Sequence, residues 1–71
     1  MRKIRVLLDG QPEEFFLGAT VQDLAGRLSP QKKLAFEEGR GWILDSDNHK
    51  VGAGGSLEPG EEYSFFSPSS P

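Results

Sequence analysis

Thr20 and Asp23 bracket the start of a helix, and no other stretch of the chain limits its fold so tightly. A threonine followed three residues later by an acidic residue can close a capping box, in which each residue satisfies a backbone N–H of the other. Val21, Leu24, Ala25 and Leu28 then recur at i, i+3, i+4 and i+7, so the helix is expected to run to Leu28 or Ser29 with one apolar face. Pro30 disfavours its continuation. The segments around this helix read as strands, and a sheet is what would cover the apolar face.

Ile4, Val6 and Leu8 alternate with Lys3, Arg5 and Leu7, the pattern of a half-buried strand. Asp9-Gly10 supplies the positive φ angles of a tight turn, and Glu13 to Leu17 return as a second strand with Phe15 and Leu17 on one side. After the helix, Ser29 to Gly41 has two readings. Ser29 can cap and Pro30 open a second short helix through Glu38, ended by Gly39, with Leu34 or Phe36 touching the core. Alternatively Leu34-Ala35-Phe36-Glu37 is a strand folded back onto the next one. The pairing of Pro at the first helical position with Gly past the last favours the helix. Trp42 to Asp45 is then a strand, Ser46-Asp47-Asn48 a polar turn, and Lys50-Val51 a short extended piece. Leu57-Glu58-Pro59-Gly60 makes a turn before the last strand, Glu61 to Phe66, which places Tyr63 and Phe65 on one face and Ser64 and Phe66 on the other.

A chain of 71 residues with 35% hydrophobic content has room for a single core. One domain is expected over residues 1–66, with 67–71 as a disordered tail. The absence of cysteine excludes thiol catalysis, a disulfide framework and thiolate metal sites, and leaves the cytoplasm as the default compartment. A formal net charge of −3 argues against nucleic acid as the partner, because such affinity comes largely from neutralising phosphates. All eight Lys and Arg lie at or before Lys50, so the C-terminal part is acidic. No apolar run approaches a membrane span, and Met1-Arg2-Lys3 leads into an alternating strand rather than a secretory leader.

The order hairpin, helix, strand, polar turn and final strand resembles the ubiquitin-like, or β-grasp, superfamily. Leu17-Gly18-Ala19-Thr20-Val21-Gln22-Asp23-Leu24 is similar to the Gly-x-Thr-Val-x-Asp-Leu that opens the helix in sulfur-carrier proteins and TGS domains. Leu57-Glu58-Pro59-Gly60-Glu61 resembles their Leu-x-x-Gly-Asp turn, and Ile4 to Gly10 their first strand and turn. Trp42-Ile43-Leu44-Asp45-Ser46-Asp47 is similar to the Trp-x-Leu-x-Asp strand of small bacterial ubiquitin-like proteins. The resemblance implies an α+β fold, a mixed sheet of four to five strands packed on one helix, with the last strand at its centre. Carriers and modifiers of this superfamily are activated at a C-terminal Gly-Gly. The chain ends Pro68-Ser69-Ser70-Pro71, so activation there is not expected, and cleavage at Gly54-Gly55 would remove the central strand. A diverged sulfur-carrier or modifier relative is therefore the alternative reading, and an RNA-associated TGS-like module is a third that the charge disfavours.

Candidate chemistry is sparse. Asp45, Asp47 and Asn48 suggest a calcium loop, but His49 and Lys50 stand where such a loop needs an oxygen ligand and a glycine. His49 is the only histidine and has no cysteine to join it, so no metal and no cofactor are expected. Gly52 to Ser56 lacks the lysine and helix that follow a phosphate-binding loop. Glu13-Glu14, Glu37-Glu38 and Glu61-Glu62 are adjacent pairs, and in strands adjacent residues face opposite sides, which makes poor acid/base dyads. An enzyme is not expected.

What remains is a surface. If Ile4, Val6, Leu8, Phe15, Leu17, Trp42, Leu44, Tyr63 and Phe65 pack beneath the helix, alternation sends Leu7, Phe16, Ile43 and Phe66 to the opposite side of the sheet. A contiguous apolar patch of that kind marks a protein-binding surface, unless the residues are scattered or the 29–41 segment or the tail covers them. The expected function is thus a non-catalytic interaction module, monomeric when isolated, that binds a protein partner through Leu7, Phe16, Ile43 and Phe66, with Lys3 and Arg5 at the flank.

Overall fold

The computed structural model describes residues 2–68, which form a mixed five-stranded sheet with two short helices. Strands β1 (Lys3–Leu8) and β2 (Gln11–Phe16) make an antiparallel hairpin, followed by helices α1 (Val21–Ala25) and α2 (Pro30–Glu37). Strands β3 (Trp42–Leu44), β4 (Lys50–Val51) and β5 (Glu62–Phe66) complete the order β2-β1-β5-β3-β4. Only β1 and β5 run parallel. This arrangement is α+β and compatible with a β-grasp fold, with the last strand at the centre of the sheet and two short helices, the second over the segment whose signals favour a helix.

The hairpin turn is built as its residues dictate. Asp9 (φ 51°) and Gly10 (φ 83°) both occupy the left-handed region, as a two-residue type I′ connection requires. Asp9 then extends the central pairing beyond β1: its N–H donates to the Tyr63 carbonyl at 2.9 Å, and its Oδ1 accepts from the Phe65 N–H at 3.2 Å. At the other end of this pairing, Gly60 donates to the Arg5 carbonyl at 2.7 Å.

The capping box forms, with the Asp23 carboxylate accepting from the Thr20 N–H at 2.9 Å. Helix α1 is shorter than its apolar repeat. It ends at Ala25, and Arg27 and Leu28 continue as tighter turns, donating to the Leu24 and Ala25 carbonyls. Leu28 nevertheless stays buried, so the whole face of Val21, Leu24, Ala25 and Leu28 enters the core with Ile4, Val6, Leu8, Phe15, Ile43, Leu57 and Tyr63.

Residues 29–41 are helical, not a strand. Pro30 opens α2, and Gly39 (φ 78°) closes it with Arg40 N–H donating to the Ala35 carbonyl and Gly39 N–H to Phe36, the two bonds of a Schellman ending. Of the two residues expected to touch the core, Phe36 does and Leu34 is exposed, while Ala35 is buried.

Three residues expected under the helix are not there. Leu17 is 57% exposed, because β2 ends at Phe16 and the chain turns away at Gly18 (φ 98°). Trp42 and Leu44 face outward in place of Ile43, which is 0% exposed inside the core. The reason is register. Ile43 lies opposite Phe65 on β5 and Val51 on β4, both packed against the core, and residues directly opposite share a face. Residues 69–71 of the expected tail lie outside the described residues. Ser67, within them, donates its hydroxyl to the Arg40 carbonyl at 3.0 Å.

Candidate functional site: the outer face of the sheet

Alternation along the five strands assigns the face away from the helices: Pro12, Glu14 and Phe16 on β2, Lys3, Arg5 and Leu7 on β1, Glu62, Ser64 and Phe66 on β5, Trp42 and Leu44 on β3, and Lys50 on β4. Three of the four expected contact residues, Leu7, Phe16 and Phe66, are on this face. Ile43 is not, and it leaves the candidate site.

The three are not one patch. Phe16 lies opposite Lys3 at the start of β1, whereas Leu7 lies opposite Glu62, four residues before Phe66 on the parallel strand. Eight strand steps therefore separate the level of Phe16 from that of Phe66, about 26 Å at ~3.3 Å per residue. Between them the face is charged. Glu14 lies 3.8 Å from the Lys3 ammonium and 3.6 Å from the Arg5 guanidinium, and Lys3 also sits 5.9 Å from the centre of the Phe16 ring. Lys3 and Arg5, expected to flank a patch, instead divide one.

The larger apolar corner belongs to β3 and β5. The Trp42 and Phe66 rings lie 5.6 Å apart and tilted by 52°, within the separation at which aromatic pairs attract. The Lys50 ammonium stands 4.8 Å from the Trp42 ring centre, and Leu44 lies opposite Lys50 on the neighbouring strand. Phe66 is 45% exposed although paired. Trp42, Leu44 and Lys50 are the site residues that sequence reasoning missed. A signal for them existed in the polar turn: closing it as Asp45 to His49 puts Lys50 opposite Leu44, and a lysine cannot share the core face.

That turn also gathers Asp45, Asp47 and His49, whose ligand-type atoms lie within 4.8 Å of one another. Its backbone accounts for the arrangement. Asp45 Oδ1 accepts from the N–H groups of Asp47 and His49, both at 2.9 Å, while Asn48 (φ 63°) turns the chain. On the core side, Tyr63 has a displaced pKa. Burial raises it above 10.0, against a 3.0 Å hydrogen bond in which its hydroxyl accepts from the Glu58 N–H, with Glu61, Glu58 and Asp45 raising it further. A phenol kept neutral by burial, its oxygen accepting from a main-chain amide, is a structural element of the core. No described helix is long and apolar enough to cross a membrane.

Comparison of the chain with protein-family models, with curated proteins and with solved structures finds no match to any of them.

Proposed function

We propose that this protein is a non-catalytic ubiquitin-like module that works by being bound, and that its contact surface is the outer-face corner of Trp42, Leu44 and Phe66 with Lys50 beside it. The carrying observation is an aromatic pair left partly in water, on a sheet whose other face already fills the core with aliphatic and aromatic residues. Aromatic side chains are what the centre of a protein interface is enriched in, with charges such as that of Lys50 at its rim. Phe16 stands outside this surface, and Leu7 lies towards its margin beside Glu62.

The test is capture from an extract of the source cells by the tethered protein and by two variants, Leu44→Ser/Phe66→Ser and Phe16→Ser. The reading expects the same partner on the wild type and on Phe16→Ser, and its loss on the double variant, with all three proteins showing equal amide dispersion. Retention of that partner by the folded double variant would defeat it. Trp42, the sole tryptophan, provides a second readout, since an occupied corner shifts its emission.

A further inference from the structure

The two edges of the sheet are finished differently. On β2, the Leu17 N–H donates to the Arg2 carbonyl, which sets the phase of the hairpin and turns the main-chain groups of Pro12, Glu14 and Phe16 outward. This edge is closed at the carbonyls of Glu14 and Phe16 and blocked at Pro12, while the Glu14 and Phe16 N–H groups stay open among the described residues. Pro12 has no N–H, Arg27 Nη2 donates to the Glu14 carbonyl at 3.3 Å, and the Ala19 N–H donates to the Phe16 carbonyl at 3.1 Å. Arg27 is itself held by Glu13 at 2.9 Å and lies 4.7 Å from the Phe15 ring centre. Native sheets blunt an edge with devices of this kind.

On β4 the Asp45 N–H donates to the His49 carbonyl at 3.0 Å. Alternation then makes Leu44 and Lys50 a pair without mutual hydrogen bonds, and the Lys50 N–H and C=O point out of the sheet. No described residue bonds to either group. The Lys50 side chain likewise makes no ion pair among the described residues, its ammonium resting over Trp42. Beside this edge, on the helix side, runs an open groove of about 440 Å3 lined by Phe36, Trp42, Val51 and Ala53, with Glu37 and Lys50 among its polar residues.

We propose that the β4 edge takes an extended segment of another polypeptide, added as a sixth strand beside Lys50. The chemistry of the segment follows from the pleat. In antiparallel addition its residue opposite Lys50 exchanges both main-chain hydrogen bonds with it and shares its outer face, so that residue is acidic, supplying the counter-charge that Lys50 lacks. Its neighbours on either side point into the groove and are apolar, against Phe36 and Val51. This surface shares Trp42 and Lys50 with the outer-face corner but not Leu44 and Phe66, so the Leu44→Ser/Phe66→Ser variant should keep the peptide while losing the partner of the corner.

The experiment uses the 15N-labelled protein and a pool of acetylated, amidated pentapeptides with Asp or Glu at the centre, Val, Ile, Leu or Phe on either side of it, and Thr at both ends. The expected result is a saturable shift of the Lys50 and Gly52 amides, slower exchange of the Lys50 amide, and no comparable change at Glu14 or Phe16. N-methylation of the central residue removes one of the two shared bonds and should weaken binding about tenfold. Lys50→Pro should abolish binding, since it places on β4 the block that Pro12 provides on β2 and costs no bond within the sheet. Absence of any Lys50 protection from the whole pool, equal protection at Glu14, or binding indifferent to N-methylation would each overturn the proposal, the last without relying on a protein variant.

Discussion

Ile43 and its neighbours Trp42 and Leu44 are chemically alike, yet one residue step decides their fates. Ile43 is enclosed by Val51, Phe65 and the helices, while Trp42 and Leu44 meet water beside Lys50 and Phe66. The inner face of the sheet is continuous from β2 to β4, because the helices require it to be. The outer face has no such requirement, and its apolar residues separate into two corners around the Lys3, Arg5 and Glu14 cluster. A three-residue strand with apolar residues at every position does not reveal which face is which. Its partners do.

The largest effect should come from truncating the inward residue. Ile43→Ala removes a fully buried side chain and should cost about 2–5 kcal/mol, measured by urea denaturation, whereas Leu44→Ala one step away should cost about 1 kcal/mol or less. Equal losses at the two positions would break the distinction between the faces. Next comes Gly41, where β3 begins. A Cβ there would lie 2.8 Å from Phe65 Cε1 and 3.1 Å from the Phe66 carbonyl oxygen. The ring can shift, but the backbone oxygen is fixed in the ladder, so Gly41→Ala should cost about 1–3 kcal/mol and disturb the amides of Trp42 and Phe66 first.

What the chain disclosed before its structure was known divides along the same line. The hairpin with its Asp9-Gly10 turn, the capped helix, the Pro30-to-Gly39 helix and the Pro59-Gly60 turn each rest on local signals, and each stands in the structure, all but the capped helix close to their expected bounds. Two things were not local. The phase of β3 depended on its register with β4 and β5, and reading Trp42 and Leu44 as the inward pair put Ile43 on the wrong face. The continuity of the outer patch depended on the offset of two parallel strands: Leu7 lies opposite Glu62 rather than Phe66, and no alternation within a single strand carries that information. The length of α1 also escaped, because Leu28 remains in the core through a tight turn and preserves the periodicity after the helix has ended.

The inner face carries one polar atom whose effect is smaller and depends on pH. Tyr63→Phe should cost about 1 kcal/mol near neutral pH through loss of the hydrogen bond from the Glu58 N–H. Because burial raises the folded-state pKa of Tyr63 above 10.0, the folded protein holds the phenolic proton more tightly than the unfolded chain. That stabilisation is intact below pH 10 and is lost as pH rises through the folded-state value. Tyr63 is the only tyrosine, so absorbance at 295 nm reports its ionisation directly. Ionisation at or below the value of an exposed tyrosine would show that the inner face is open to solvent at this point.

The smallest effects compare the two corners of the outer face. Phe66→Ser removes the Trp42 ring contact and should cost about 1 kcal/mol. Phe16→Ser removes an edge residue that is 53% exposed and has a cation at 5.9 Å, and should cost less than about 0.5 kcal/mol. Tryptophan emission separates the two without any partner present. Trp42 lies against Phe66 and, by the strand register, far from Phe16, so its emission maximum should move to longer wavelength in the first variant and stay unchanged in the second. A shift of equal size in both would mean that the corners communicate across Glu14, Lys3 and Arg5. The face would then act as one surface, and Phe16 would return to the binding site from which its distance now excludes it.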